Sequence, residues 1–521
     1  MQKLIDTLMR ILFKIFFFVC CYWGSLQAQT TTIDLHRATI QNLQEWMTAG
    51  EVSSEDIVRY YLDRIKNFDQ AGPQLNSVLV LNPDALHIAR AMDMERRNGQ
   101  VRGPMHGIPV LIKDNIDTHD KMPTTGGSIL LQDNFVSRDA FIVRKLRESG
   151  AVLLGKTNLS EWANFRSTNS SSGWSSAGGQ TKNPFDTLMS PCGSSSGSGV
   201  AVAADFCAAA IGTETDGSIA CPSAVNGIVG IKPTVGLWSR SGIIPISHTQ
   251  DTPGPMARTV MDAATLLSAC AGIDEGDTAT LGLKKKNDYT IYCRDTALEN
   301  SRLGVDITFL NGQDTVSKIF QQALKKMEQA GAQIIPLNYA PLLKGIGKME
   351  FDILLYEFKH GITKYLLETN LPYQNLQDLI LANEEGKAQT MPFFGQEIFQ
   401  MAEDKGSLMD SAYQAALINC TERSRRLIDS LMTTHQLTAI VGPALGAAWK
   451  IDHEHGDHSS GPSSYSIASR SGYPSITVPS AMINGLPLAL CFMGRAYQED
   501  RIIGLAYAFE QKFGPKLLTG F

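Results

Sequence analysis

The chain has 521 residues, with 46 lysines and arginines against 52 aspartates and glutamates, a formal net charge of −6 and 43% hydrophobic residues. That length and apolar content suit a large enzyme with a buried core, and a mildly acidic balance without a basic run excludes a nucleic-acid binder. Nine cysteines include no C-x-x-C pair. The seven beyond residue 28 are an odd number, so at least one thiol stays unpaired if every disulfide is intramolecular.

Residues 1–28 follow the three-part plan of a signal peptide: basic Lys3, Arg10 and Lys14, an apolar core from Ile15 to Trp23, then Ser25-Leu26-Gln27-Ala28 before Gln29. The core is shorter than the roughly 20 residues a spanning helix needs. Cys20 and Cys21 lack the small residues that precede a lipid-modified cysteine. Cleavage after Ala28 predicts an extracytoplasmic protein, periplasmic or secreted, with no stable membrane association afterwards; an uncleaved N-terminal anchor is the alternative. Residues 29–521 contain no linker or repeat at which to divide them and are read as a single domain.

That domain opens with a helical pair. Ser53 and Asp56 form a capping box before Ile57, Val58, Tyr61, Leu62 and Ile65, which share one helical face. Strand-like runs follow at Ser77–Leu81, Pro109–Ile112 and Ala151–Leu154, with a helix from Asp139 to Ser149 before the last. Val316, Ile319, Phe320, Ala323 and Met327 line a helix ending at Gly331, ahead of a strand at Gln333–Leu337. The alternation predicts an α/β/α layered sheet. Residues 281–436 are more helical, and Phe351–Leu366 and Met391–Phe399 are the segments expected to shape a substrate mouth.

Two serine-bearing glycine loops carry the chemistry: Cys192-Gly193-Ser194-Ser195-Ser196-Gly197-Ser198-Gly199 and Gly212-Thr213-Glu214-Thr215-Asp216-Gly217-Ser218-Ile219. Lys113 lies upstream in His106-Gly107-Ile108-Pro109-Val110-Leu111-Ile112-Lys113-Asp114-Asn115. A serine hydroxyl needs a base to take its proton as it attacks, and the resulting oxyanion needs preorganised donors. Gly217 permits the unusual backbone angles that aim successive amides at one point, so the N–H groups of Thr215, Asp216, Gly217 and Ser218 are the candidate oxyanion hole. A flexible linker is disfavoured because the first loop runs straight into Val200-Ala201-Val202-Ala203-Ala204, and a Walker loop would require a lysine that Gly197-Ser198-Gly199 lacks. Gly193-Ser194-Ser195-Ser196-Gly197 also matches a nucleophile elbow centred on Ser195, but the turn-like Asn183–Pro191 precedes it instead of a strand. Lys156 is a second candidate base, and a surface Lys113 or one paired with Asp114 is the bland alternative. His106 beside a turn is read as structural. His453-Glu454-His455-Gly456-Asp457-His458 lacks metal-ligand spacing and is read as a solvated loop.

From Gly107 to Arg258 these motifs resemble the amidase signature family. Gly155–Trp162, Gly230–Gly236 and Gly472–Pro479 extend the likeness over most of the chain. The resemblance implies a central mixed sheet covered by helices. It also implies a triad in which Ser218 is the nucleophile, Ser194, preceded by a cis peptide bond, is the bridging serine, and Lys113, neutral through burial, is the terminal base. No metal or cofactor is implied. Asn158–Arg166, Ser172–Ser175, Gly178–Thr181 and Thr213–Ser218 look similar to bacterial peptide amidases, which implies a small-molecule or peptide amide substrate with C-terminal amides preferred. A broad aliphatic or aryl-acyl amidase is the alternative, and the glutaminase-like component of a tRNA-dependent amidotransferase fits the signal peptide poorly. Ala220 stands where many relatives carry arginine, so this loop offers no cation to a substrate carboxylate, and Asp216 is expected to repel one. Cys192 and Cys221, close to the two loops, are read as small packing residues.

Overall fold

The computed structural model describes residues 1–23, 33–283, 286, 288–515, 517, 519 and 520. Met1–Leu35 and His36–Phe521 are separate compact units. The first contains a helix, Gln2–Trp23. The expected cleavage segment Ser25–Ala28 lies outside the described residues, among which no helix is long and apolar enough to cross a membrane.

The second unit is built on β1 (Val78–Leu81), β2 (Pro109–Lys113), β3 (Val152–Thr157), β4 (Trp174–Ser175), β5 (Gly179–Gln180), β6 (Ala209–Glu214), β7 (Val229–Lys232), β8 (Thr252–Ala257), β9 (Arg302–Asp306), β10 (Gln333–Leu337), β11 (Ala439–Pro443), β12 (Ser475–Ile483) and β13 (Leu486–Met493). β4 and β5 make a small hairpin. The other eleven form one sheet in the order β1-β3-β2-β6-β8-β7-β12-β13-β11-β9-β10. β2 pairs in parallel with β3 and β6, whereas β8, β7, β12 and β13 pair antiparallel in succession. The sheet is therefore mixed, as expected, with helices flanking it.

Every residue of β2, β3 and β6 is buried, which accounts for their near-continuous apolar runs in place of alternation. The Ser53–Asp56 capping box is present before the helix Ser54–Arg64, and the helix placed at Asp139–Ser149 runs Phe141–Glu148. Residues 281–436 supply β9 and β10, then a run of helices led by Ile346–Leu366. Leu355, Phe358 and Ile362 of that helix and Phe399 pack with Trp162 and Leu131 into a core of their own.

Candidate active site

Lys113 is the last residue of β2 and is fully buried. Its Nζ lies 2.7 Å from Ser194 Oγ, 2.8 Å from Thr213 Oγ1 and 3.3 Å from the Thr213 carbonyl. Burial pushes its pKa down from the ordinary lysine range to about 7, against the opposing pull of Asp251 and Glu214. An amine is thus available as a proton acceptor near neutrality. Asp114 next to it faces the other candidate base: Lys156 Nζ is 3.8 Å from Asp114 Oδ1 and donates to Thr124 Oγ1 and the Pro123 carbonyl. The sheet places the two lysines side by side, with Ile112 opposite Lys156, yet only Lys113 reaches a serine of the glycine loops.

Ser194 follows a cis peptide bond, Gly193–Ser194. The loop is closely packed at this point, for a Cβ on Gly193 would fall 2.2 Å from Ser160 Oγ. Ser195 N–H donates to the Ser218 carbonyl at 3.1 Å and joins the two loops. The Ser195 hydroxyl is fully buried, donating to the Thr213 carbonyl (3.0 Å) and accepting from the Thr213 N–H (3.1 Å). Those bonds occupy it structurally and remove the ground for a nucleophile elbow at Ser195.

Ser218, by contrast, is half-exposed. Among the described residues the amides of Thr215, Asp216, Gly217 and Ser218 have no protein acceptor. Gly217 has φ +81°, and a Cβ there would lie 2.5 Å from the Tyr465 ring, so both angle and space require glycine. Successive N–H groups without an acceptor beside a partly exposed serine are the kind of arrangement that can receive an anion.

Glu214 is not a free acid lining the site. Its Oε2 accepts from the N–H groups of Ile219 (2.7 Å) and Ala220 (2.8 Å), and its Oε1 accepts from Ser469 Oγ (3.0 Å). It therefore caps the short helix Ala220–Val225 that follows the Thr215–Ser218 amides. The expectation that Asp216 repels anions also needs correction. Its carboxyl is held above the ordinary range by burial and by neighbouring Glu350, while Arg470 Nη2 stands 3.8 Å away. Arg470 Nε donates to Glu350 Oε2 at 2.6 Å, and Gln250 Nε2 joins Glu350 (3.0 Å) to the Thr215 carbonyl (3.3 Å). Position 220 carries no cation, as the sequence indicates, but the helix Ser466–Ser471 brings one to Asp216.

Cys192 and Cys221 are not merely packing residues. They form a disulfide, with Cα atoms 6.0 Å apart, between the loop of Ser194 and the helix after Ser218. A fold that brings the two loops together also brings their flanking cysteines within bonding distance. The only sequence signal was that each cysteine lies within three positions of a motif serine.

Around the loops, Asp457 accepts from Ser172 N–H (3.1 Å) and Trp449 Nε1 (3.0 Å), and His453 Nε2 contacts Gln180 Oε1 (2.7 Å) while its ring stacks on Phe393. His455 turns instead to Asp452. The histidine-rich stretch is thus a loop whose members face different partners. Trp174 meets Phe393 and Phe394 edge-on, so part of the predicted Met391–Phe399 segment does adjoin the β4–β5 hairpin. His106 is buried with Nε2 against the Met92 carbonyl, consistent with a structural role.

The family model described as Amidase matches residues 56–503. A peptide amidase solved in complex with the competitive inhibitor chymostatin is 47% identical, covering 93% of this chain and 99% of that one, with a TM-score of 0.90. The native peptide amidase from Stenotrophomonas maltophilia is 46% identical over 93% of this chain and 98% of its own, with a TM-score of 0.87. A glutamyl-tRNA(Gln) amidotransferase component from Caldanaerobacter subterraneus is 32% identical, covering 92% of this chain and 97% of that protein.

Proposed function

The chain belongs to the Amidase family and is a hydrolase acting on linear amides, and from that premise we propose that it removes the C-terminal amide from peptides through Ser218, Ser194 and Lys113. Ser218 Oγ attacks the carboxamide carbon as its proton passes to Ser194, whose own proton passes to the Lys113 amine. The oxyanion is received by the Thr215–Ser218 amides. Ammonia leaves with the returning proton, and water then releases the acyl group from Ser218 through the same relay in reverse. The observation that carries this reading is the buried 2.7 Å contact of Lys113 Nζ with Ser194 Oγ, on a loop hydrogen-bonded to the Ser218 carbonyl.

The likeness to peptide amidases supports the substrate class. A peptide amide brings an uncharged group to the reacting centre and gains remote binding along the mouth, which can be spent on positioning the carbonyl. Ammonia release from an N-blocked dipeptide amide is the test. It should exceed that from a simple aliphatic amide, malonamate or free glutamine in kcat/KM by at least about tenfold, and internal peptide bonds should survive. Equal rates on aliphatic amides favour a broad amidase, and preference for glutamine favours the amidotransferase-like reading.

The same reading places the mature chain outside the cytoplasm after cleavage near Ala28. The Cys192–Cys221 bond supports this, because disulfides persist in oxidising compartments and are rare in reducing ones.

A further inference from the structure

Thr213 touches the proposed base twice and has no part in the relay so far. The parallel ladder between β2 and β6 ends at Ile112 and Ile211. Beyond it, the Thr213 amide and carbonyl have no strand partner on that side. The amide donates to Ser195 Oγ, and the carbonyl accepts from Ser195 Oγ and from Lys113 Nζ. The Thr213 side chain turns back to the same amine at 2.8 Å and accepts from Asn115 Nδ2 at 3.0 Å.

A neutral amine has two N–H bonds and one lone pair. A carbonyl can only accept, so one N–H goes to the Thr213 oxygen. If Thr213 Oγ1 accepts the second, the lone pair is left for Ser194. If instead the threonine hydroxyl donated to Nζ, it would consume that lone pair and the amine could not receive a proton. The surroundings favour the first arrangement. On the side of Thr213 and Asn115 lies a cavity of about 660 Å³ that is open to solvent, and residues 193–196 and 216–218 are absent from its wall. Thr213 Oγ1 already accepts from Asn115 Nδ2, and water in that cavity can take the hydroxyl hydrogen.

We infer that Thr213 is a positioning residue for this reaction: it engages both N–H bonds of the neutral Lys113 amine and so aims the lone pair at Ser194. The inference rests on the proposed role of Lys113 and adds what orients it. Asp251 and Glu214 are the charged groups that act on Lys113, and both remain in the variants below.

Thr213→Val, Thr213→Ser and Lys113→Ala are compared on a peptide amide between pH 5 and 9. Thr213→Val should lower kcat by about tenfold to a hundredfold with KM changed by less than about twofold. It should also move the acid limb of the kcat profile to lower pH by about half a unit or more, because the lost acceptor stabilised the ammonium form. Thr213→Ser should restore both. Asn115→Ala, which releases Thr213 Oγ1 without touching Lys113, should act in the same direction by a smaller factor and serves if the valine variant does not fold. Unchanged kcat, a fall in kcat without movement of the acid limb, or no rescue by serine overturns the positioning role. Full activity in Lys113→Ala would instead overturn the triad itself, so the two failures are distinct.

Discussion

Breaking the Cys192–Cys221 bond gives a magnitude that follows from chain statistics. The bridge closes a loop with a sequence separation of 29, and the chain-entropy relation assigns such a loop about 12 cal/mol/K, or about 3.5 kcal/mol at 25 °C, of restriction on the unfolded state. Replacing each cysteine with alanine deletes a single sulfur atom, so the small cavity left at these buried positions adds little and the lost restriction is the main term. The double variant Cys192→Ala, Cys221→Ala should therefore unfold in urea with about 2–4 kcal/mol less stability than the parent. Tryptophan fluorescence follows the unfolding, with ammonia release from a peptide amide read in parallel. Alkylation of the denatured, unreduced chain should leave Cys207, Cys270, Cys293, Cys420 and Cys491 reactive and Cys192 and Cys221 protected. Modification of Cys192 and Cys221 without prior reduction, or equal stability once the bond has been demonstrated, would refute the reasoning.

Activity should fall on the acid side of pH 7. Lys113 is useful only as an amine, and with its pKa near 7 the competent fraction drops about tenfold per unit below that point; a profile of kcat/KM flat from pH 5.5 to 8 would place the base elsewhere. The proposed compartment predicts a mature N-terminus near Gln29 in the extracytoplasmic fraction, and intact mass of a soluble cytoplasmic protein that retains Met1–Ala28 would contradict it.

The parts of the site legible in the sequence are those in which one side chain or one backbone angle is indispensable. Gly217 announces a loop that must turn through positive φ, and Lys113 at the end of an apolar run announces its own desolvation. Periodicity located β1, β2, β3 and β10 because apolar runs bounded by turns leave few alternatives. What could not be read are contacts made across long separations. Nothing in the sequence around Glu214 announces that Ser469 and the Ile219 and Ala220 amides surround its carboxylate. Asp216 looks repulsive until Glu350 and Arg470 arrive from the C-terminal half. Thr213 is unremarkable in a glycine-rich loop, and only the end of a ladder with β2 turns it toward the lysine.

The strand order also bears on how the chain is made. Six neighbouring strands, β1-β3-β2-β6-β8-β7, come from residues 78–257, and the other five, β12-β13-β11-β9-β10, from residues 302–493. The seam is the antiparallel pairing of Gly230, Ile231 and Lys232 with Thr477, Ile476 and Ser475. A ribosome adding about 5–20 residues per second needs roughly 10–50 s to travel from one side of that seam to the other. Throughout that interval β7 presents an unpaired hydrogen-bonding edge, the kind of surface on which nascent chains pair with one another. A chain halted before Ser475 would carry Lys113, Ser194 and Ser218 on a half-sheet whose open side invites aggregation, so the last strands to be synthesised complete the protein's solubility as well as its fold.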